Sequence, residues 1–381
     1  MRVGINLLFL KPGIAGGTET YSYGLLNAFA ELAPQGFSFF IFCSDKPELK
    51  FLDNKPGFTI IRFRSVSASV GYRYFFEQTF FPFKLKKYKL DLLHSFGYVG
   101  PVFFKNHITT IHDTNAFAHE DMRSLKKILL QKFLKATARN CSHIIAVSAF
   151  TKGEIIKHLH TPEHKISVVH EASRFACGAR THLPLPGSFK ELENKKYFVA
   201  LGSVTKNKNL PVLIEAFQKV LISMPETRLV LVGHLPEDNS IEKYIATLQL
   251  SEQIIITGYL AEKELAAIFQ HAVCFVFPSL YEGFGLPVLE AQTLGVAVIA
   301  SNRCAIPEIG QESVLYFNGS DPSELAQKML AIVSDANLQE HYIKAGLENS
   351  RRFSWKTTAE KTLDVYEKVY RSRAVTERDE G

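Results

Sequence analysis

PSLYEGFGLPVLEAQTLGVAVIASN, residues 278–302, is the stretch that decides how the rest of the chain is read. An apolar run, VCFVFP, leads into it, and GVAVIA closes it. Between the two, Glu282 and Glu290 flank the turn Gly283-Phe284-Gly285-Leu286-Pro287. The pattern predicts strand, glycine turn, helix, strand. The helix starts near Leu286, with Pro287 in its first turn, where a missing N–H costs nothing. The free N–H groups of that turn, with the helix dipole, favour anions or sugar hydroxyls. Glu282 then stands just before the helix and Glu290 about one turn inside it. Both are placed to face a crevice at the carboxyl ends of parallel strands, where open α/β sheets bind ligands. Packing asks for the glycine turn but not for two carboxylates around it.

A chain of 381 residues is long for one core, so two domains are expected. Hydrophobic content of 46% and charged content of 22% fit a soluble globular protein. No apolar run approaches the roughly 18 residues of a membrane span. The start, MRVGINLLFL, lacks a small-residue cleavage site and runs into a glycine turn, so it reads as a first strand rather than a signal peptide. Cys43, Cys141, Cys177, Cys274 and Cys304 are scattered without C-x-x-C spacing. That predicts reduced thiols in a cytosolic compartment and no structural zinc. The net charge of +6 is uneven: residues 1–190 hold 25 Lys and Arg against 13 Asp and Glu, and residues 191–381 hold 19 against 25. A first half so basic points to a polyanion or an anionic membrane surface.

The first half alternates strands and helices. After MRVGINLLFL, Gly16-Gly17 with Thr18 reads as a tight turn and helix N-cap, where glycine lets backbone N–H groups approach a phosphate. His112-Asp113 sits at the end of the strand HITTIHD. Asp113 is badly placed to orient His112, because neighbours on a strand point to opposite faces. Residues 121–139 read as a helix with Leu125, Leu129, Phe133 and Ala136 on the core face and Lys132, Lys135 and Arg139 on another. Ser148 reads as an N-cap, and residues 175–196, with two Pro and two Gly and no clear period, as the interdomain linker.

The second half opens with the strand YFVALGS and the loop Gly202-Ser203-Val204-Thr205-Lys206-Asn207-Lys208-Asn209. Tyr259 lies at a later strand end. No two Asp are separated by a single residue, so the D-x-D route to a diphosphate-bound metal has no visible ligands. A dinucleotide-binding oxidoreductase needs G-x-G-x-x-G after the first strand, and GIAGGTE does not fit it.

E-G-F-G-L-P-x-x-E resembles the E-x7-E signature of retaining GT-B glycosyltransferases of family 4, and the likeness to O-antigen-type mannosyltransferases extends over nearly the whole chain. It is strongest from Gly202 to Glu308 and weakest between about Phe51 and Asn106. The resemblance implies an α/β fold of GT-B architecture, two Rossmann-like, doubly wound parallel-sheet domains facing each other across a cleft. It places the first domain at residues 1–180 and the nucleotide-sugar domain at 181–355, with 356–381 crossing back as a final helix and tail. It further implies that Gly16 and Gly17 touch the donor phosphates and that His112 sits near the donor sugar. Lys208 aligns with the family Lys on the diphosphate, and Tyr259 with the base pocket. Gly283, Phe284, Gly285 and Leu286 form the donor turn. Glu282 would bind sugar hydroxyls at the reacting carbon, and Glu290 the ribose. The family Arg is missing from the phosphate loop, where Ser203 and Asn207 stand. Lys206 cannot supply the same bidentate fork.

The activity implied is retaining hexosyl transfer from a nucleotide sugar to a saccharide or lipid-linked acceptor, with no metal or other cofactor. The acceptor attacks on the face the diphosphate leaves, and the leaving phosphate takes its proton. GDP-mannose is one donor reading, and a UDP-hexose or UDP-N-acetylhexosamine the other. A non-catalytic nucleotide-sugar-binding scaffold is the reading of another class. Nucleic acid is not an expected partner. The expected location is cytoplasmic, with the basic first domain on the inner membrane face.

Overall fold

The computed structural model describes residues 1–13, 16–64, 66, 69–118, 125–176, 183–202 and 206–379. It divides into two units, Met1–Ala172 with Phe353–Gly381, and Ser173–Arg352. The segment with Phe175, Leu183 and Phe189 packs on the core of the second unit.

Seven strands form the first sheet: β1 (Arg2–Leu7), β2 (Ser38–Cys43), β3 (Phe58–Arg62), β4 (Leu92–Ser95), β5 (His107–Ile111), β6 (His143–Ala146) and β7 (Ile166–Val168). All pairs are parallel, in the order β3-β2-β1-β4-β5-β6-β7. The helices of this unit are α1 (Gly17–Leu32), α2 (Val70–Gln78), α3 (Phe80–Leu85), α4 (Asn115–Ala118), α5 (Leu125–Asn140) and α6 (Ala149–Leu159). The second sheet comprises β8 (Tyr197–Leu201), β9 (Arg228–Val232), β10 (Ile254–Gly258), β11 (Cys274–Phe277), β12 (Val298–Ser301) and β13 (Leu315–Phe317). Its order is β10-β9-β8-β11-β12-β13, again parallel. Around it lie α7 (Leu210–Ser223), α8 (Ser240–Thr247), α9 (Glu262–His271), α10 (Leu286–Thr293), α11 (Ile306–Gly310), α12 (Pro322–Ser334) and α13 (Ala336–Ser350), and α14 (Trp355–Asp379) belongs to the first unit.

Strands covered on both faces read as continuous apolar runs, as FVAL and CFVF do here. Each sheet reverses its strand order once, between β1 and β4 and between β8 and β11. Those two reversals are where doubly wound sheets take ligands.

Ser148 caps α6, its Oγ accepting from the Thr151 N–H at 2.9 Å. Thr18 is not a cap. The turn before α1 ends at Gly16, with φ 56°, and Thr18 lies inside the helix. Gly16 meets the left-handed backbone without a Cβ penalty, so no side-chain cap is required. The buried face of α5 is also rotated from expectation. Leu134, Thr137 and Ala138 point inward, whereas Leu129 is exposed. The run ILLQKFL is apolar on nearly every side, so periodicity alone does not fix its rotation.

α14 returns to α1. Gly24 gives it room: a Cβ there would stand 2.1 Å from the Trp355 ring. Gly24→Ala is therefore expected to cost about 1–3 kcal/mol through overpacking. Urea unfolding measures it, and an unchanged midpoint would argue against this close approach. Deeper in, Tyr366 of α14 bonds His94 Nδ1 at 2.7 Å, His94 Nε2 meets Thr110 Oγ1 at 2.8 Å, and Thr110 meets the Tyr21 hydroxyl at 2.9 Å.

Glu77 of α2 is buried beside the end of β1. Its Oε1 accepts from Asn6 Nδ2 at 3.1 Å, and its Oε2 lies 3.7 Å from Arg73 Nε. Burial pushes the Glu77 carboxyl up to about 7, against the opposite pull of Arg73 and the Asn6 amide. The folded chain thus keeps a proton that the unfolded chain has released above about 4.5. Stability falls as pH rises from that value through 7, by a span on the order of 3 kcal/mol. Glu77→Gln is expected to remove this slope, read as the wild-type-minus-variant difference in unfolding free energy at pH 5 and pH 8. A difference constant with pH would contradict the assignment.

Candidate active site

In the second unit, the loop after β8 and the turn after β11 are knitted together. Asn207 Nδ2 donates to the Tyr281 carbonyl at 3.1 Å, and the Leu280 N–H donates back to the Asn207 carbonyl at 2.7 Å. Asn209, at φ 55°, reaches the Pro278 and Gly319 carbonyls at 3.3 and 2.7 Å. This clamp holds Lys208 over the turn. Its Nζ lies 2.7 Å from Glu282 Oε1 and 4.7 Å from the centre of the Phe277 ring. Ser279 Oγ donates to the same Glu282 oxygen at 2.7 Å. Gly285, at φ 102°, then turns the chain into α10, with Pro287 in the first turn. An L side chain is strained at that φ, so this glycine is required by the backbone.

Glu290 lies one turn further on and is buried. Arg174 Nε bonds its Oε1 at 2.6 Å. Each carboxylate of the motif thus has a cation of its own, Lys208 for Glu282 and Arg174 for Glu290. Gly283 and Phe284 complete the turn, with Phe284 buried. Tyr259, just beyond β10, is 67% exposed. Ser203 lies outside the described residues.

In the first unit, Gly16-Gly17 opens α1 behind β1. His112 follows β5 and is buried. Its Nδ1 lies 2.7 Å from Glu171 Oε1 and its Nε2 lies 2.8 Å from the Phe96 carbonyl oxygen. Both partners can only accept, so both bonds form only with the ring doubly protonated. Burial by itself lowers the His112 pKa, but the Glu171 carboxylate and the Phe96 carbonyl outweigh it and raise the net value. These contacts favour the protonated ring and make His112 a poor general base. Tyr21 meets it edge-on at 4.8 Å. Asp113 takes no part in orienting it. Its carboxylate accepts from the Tyr98 hydroxyl at 2.5 Å and from the Asn115 N–H at 2.8 Å.

The sequence reading missed Glu171 and Arg174. The signal was present: two opposite charges within four residues, directly behind the apolar strand β7. Nothing in their spacing says which distant side chain each one meets.

Two Rossmann-like parallel-sheet units of this strand order, with paired carboxylates at the head of a helix, define the GT-B class of folds. Residues 15–172 match the Glycosyltransferase Family 4 model, and residues 186–349 match Glycosyl transferases group 1. The chain belongs to these glycosyltransferases. It is 28% identical over 295 residues to the O-antigen chain mannosyltransferase B of Escherichia coli, covering 74% of this chain and 75% of that one. Its fold resembles that of WaaG, a glycosyltransferase involved in lipopolysaccharide biosynthesis, with a TM-score of 0.74, 15% identity, and 96% and 99% of the two chains covered. It also resembles HepE of Anabaena, solved in complex with UDP and glucose, with a TM-score of 0.71, 14% identity, and 97% and 100% covered. No helix among the described residues is long and apolar enough to cross a membrane.

Proposed function

We propose that this enzyme is a retaining mannosyltransferase that builds an O-antigen or related lipopolysaccharide chain from a nucleotide sugar on a saccharide or lipid-linked acceptor. The observation that carries the reading is the Lys208–Glu282–Ser279 cluster at the head of α10, with Glu290 buried one turn beyond. The likeness to the Escherichia coli mannosyltransferase favours GDP-mannose. HepE in complex with UDP keeps a UDP-hexose or UDP-N-acetylhexosamine as the second donor reading.

In the reaction, the bond from the anomeric carbon to the diphosphate breaks and a bond to the acceptor oxygen forms on the same face. The acceptor proton passes to the leaving phosphate, so no separate base is required. Lys208 and the N–H groups of the first turn of α10 neutralise the departing charge where it develops. Glu282 holds sugar hydroxyls near the reacting carbon. Glu290 accepts two ribose O–H bonds, which suits an ionised carboxylate. Its Arg174 partner then exchanges for those hydroxyls. Tyr259 supplies a face for the base. With no D-x-D pair, cation chemistry at the diphosphate falls to lysine and backbone, and no metal is required.

The test is a panel of GDP-, UDP- and ADP-sugars offered with a lipopolysaccharide acceptor in the presence of EDTA. Turnover of GDP-mannose that survives the chelator is expected. Turnover of a UDP-sugar instead selects the second donor. Binding without transfer or hydrolysis on any acceptor identifies a scaffold, and no binding of any donor defeats the reading.

A further inference from the structure

The carbonyl oxygens of residues 278–282 lead from β11 into the glycine turn, and each of them accepts a hydrogen bond from a neighbouring loop. The loop after β8 supplies two of the donors. Asn209 Nδ2 lies 3.3 Å from the Pro278 oxygen and Asn207 Nδ2 3.1 Å from that of Tyr281. The end of β12 and the segment beyond it supply the rest. Ser301 Oγ donates to the Ser279 carbonyl, Cys304 Sγ to that of Leu280 at 3.4 Å, and the Ala305 N–H to that of Glu282 at 3.3 Å. A loop at a strand end ordinarily gives such groups to water. Here protein donors take every one, from two loops at once.

Strand register explains the place of Ser301. Phe277 pairs with Ala300 at the end of the β11–β12 ladder, so Ser301 stands one residue beyond it. The backbone ladder stops there, and the Ser301 hydroxyl continues it to the Ser279 carbonyl. Both serines are fully buried. Ser279 Oγ in turn donates to Glu282 Oε1 at 2.7 Å. Ser301 thus holds the main chain of the residue whose side chain holds the carboxylate. Cys304 sits at φ 56°, a left-handed backbone that most side chains avoid. The chain bends back there, and the Cys304 thiol and the following N–H reach carbonyls two residues apart.

A group that acts on a reacting centre works best when it is held before the substrate arrives, and a misplacement of about 1 Å can cost on the order of 10²-fold in rate. Lys208 is held from the β8 side, as described above. We infer that Ser301 and Cys304 are positioning residues for sugar transfer, fixing the main chain at 279–282 so that Glu282 meets the sugar, an inference that rests on the place proposed for Glu282 at the reacting carbon. They act through the backbone of the turn. Glu290 lies inside α10, beyond the segment they hold. Their loss therefore falls on the transfer step and spares nucleotide binding.

Steady-state transfer kinetics of Ser301→Ala, Cys304→Ala and Cys304→Ser, beside calorimetric titration of GDP and UDP, test it. Ser301→Ala is expected to lower kcat by about 10²-fold. Cys304→Ala should lower it by about tenfold, the loss of one hydrogen bond. Cys304→Ser keeps a donor in the same left-handed backbone and should stay within about threefold of wild type. All three should bind the nucleotide as wild type does, which also shows that they are folded. A merely structural role would lower the urea midpoint and leave kcat per folded molecule unchanged. Should Ser301→Ala fail to fold, the Cys304 pair decides. The inference is overturned if folded variants transfer at the wild-type kcat, if Cys304→Ser falls as far as Cys304→Ala, or if nucleotide affinity falls together with kcat. A wild type that transfers sugar from no donor overturns the proposed function itself, and this inference with it.

Discussion

Lys208→Ala is expected to lower kcat by about 10²–10³-fold, the usual effect of removing one preorganised donor from a developing oxyanion. The wild-type geometry explains why the loss falls on the rate. Lys208 is placed before any substrate arrives. Asn207 and Asn209 tie its loop to the turn after β11, and Glu282 and the Phe277 ring hold its ammonium in place. The charge therefore needs no reorganisation when the diphosphate departs. The variant should fold normally, because Glu282 retains Ser279 as a donor at 2.7 Å and is only partly buried. Lys208→Arg should recover little, since the longer, planar guanidinium does not put its charge where the compact ammonium sits, 2.7 Å from Glu282 Oε1. Steady-state transfer kinetics measure the effect, and kcat within threefold of wild type would remove Lys208 from the reaction.

The largest loss of stability is expected at a residue that no motif marks. Glu171→Gln removes the anion that holds the His112 imidazolium, in a pair whose side chains are 4% and 8% exposed. Removing one member of a buried pair typically costs about 3–5 kcal/mol, because the remaining charge is left without compensation. The pH dependence has a definite sign. His112 is raised above its ordinary 6.5, so the folded state holds a proton that the unfolded state gives up first. The contribution of the pair is full below pH 6.5 and is lost as pH rises through the raised value. The gap between wild type and Glu171→Gln should therefore narrow on the alkaline side. Urea unfolding across that range checks it, and a gap that widens with pH would mean the ring is neutral in the folded protein.

How much of this was open to reading varies with how local the cause is. The strands, the glycine turn and the start of α10 follow from apolar runs, from a φ that only glycine meets easily and from proline at a helix start, and each signal sits within a few residues. Glu282, Glu290 and Lys208 were legible because they belong to that same turn or to the loop beside it. The rotation of α5 was not, because Ile128, Leu129 and Leu130 offer the core three equivalent faces. Tertiary packing, with Leu134 and Ala138 inward, decided between them. The partners of the site were hidden for a different reason. Glu171 meets a side chain 59 residues away and Arg174 one 116 residues away, and no local rule carries such distances. Over residues 70–85, α2 and α3 carry aromatic residues on two faces, one of which the fold leaves outside, so apolar spacing there does not separate core from surface.

The central claim is that the turn at 278–290 is a nucleotide-sugar site in which Glu290 takes the ribose and Glu282 the sugar. Titration calorimetry of GDP and UDP, which lack the sugar, into wild type, Glu290→Ala and Glu282→Ala tests it most directly. Losing hydrogen bonds to a charged acceptor should weaken nucleotide binding to Glu290→Ala by at least about tenfold. Glu282→Ala should bind the nucleotide close to wild type. If Glu290→Ala binds both nucleotides as wild type does, or if Glu282→Ala is the one that fails, the assignment is wrong.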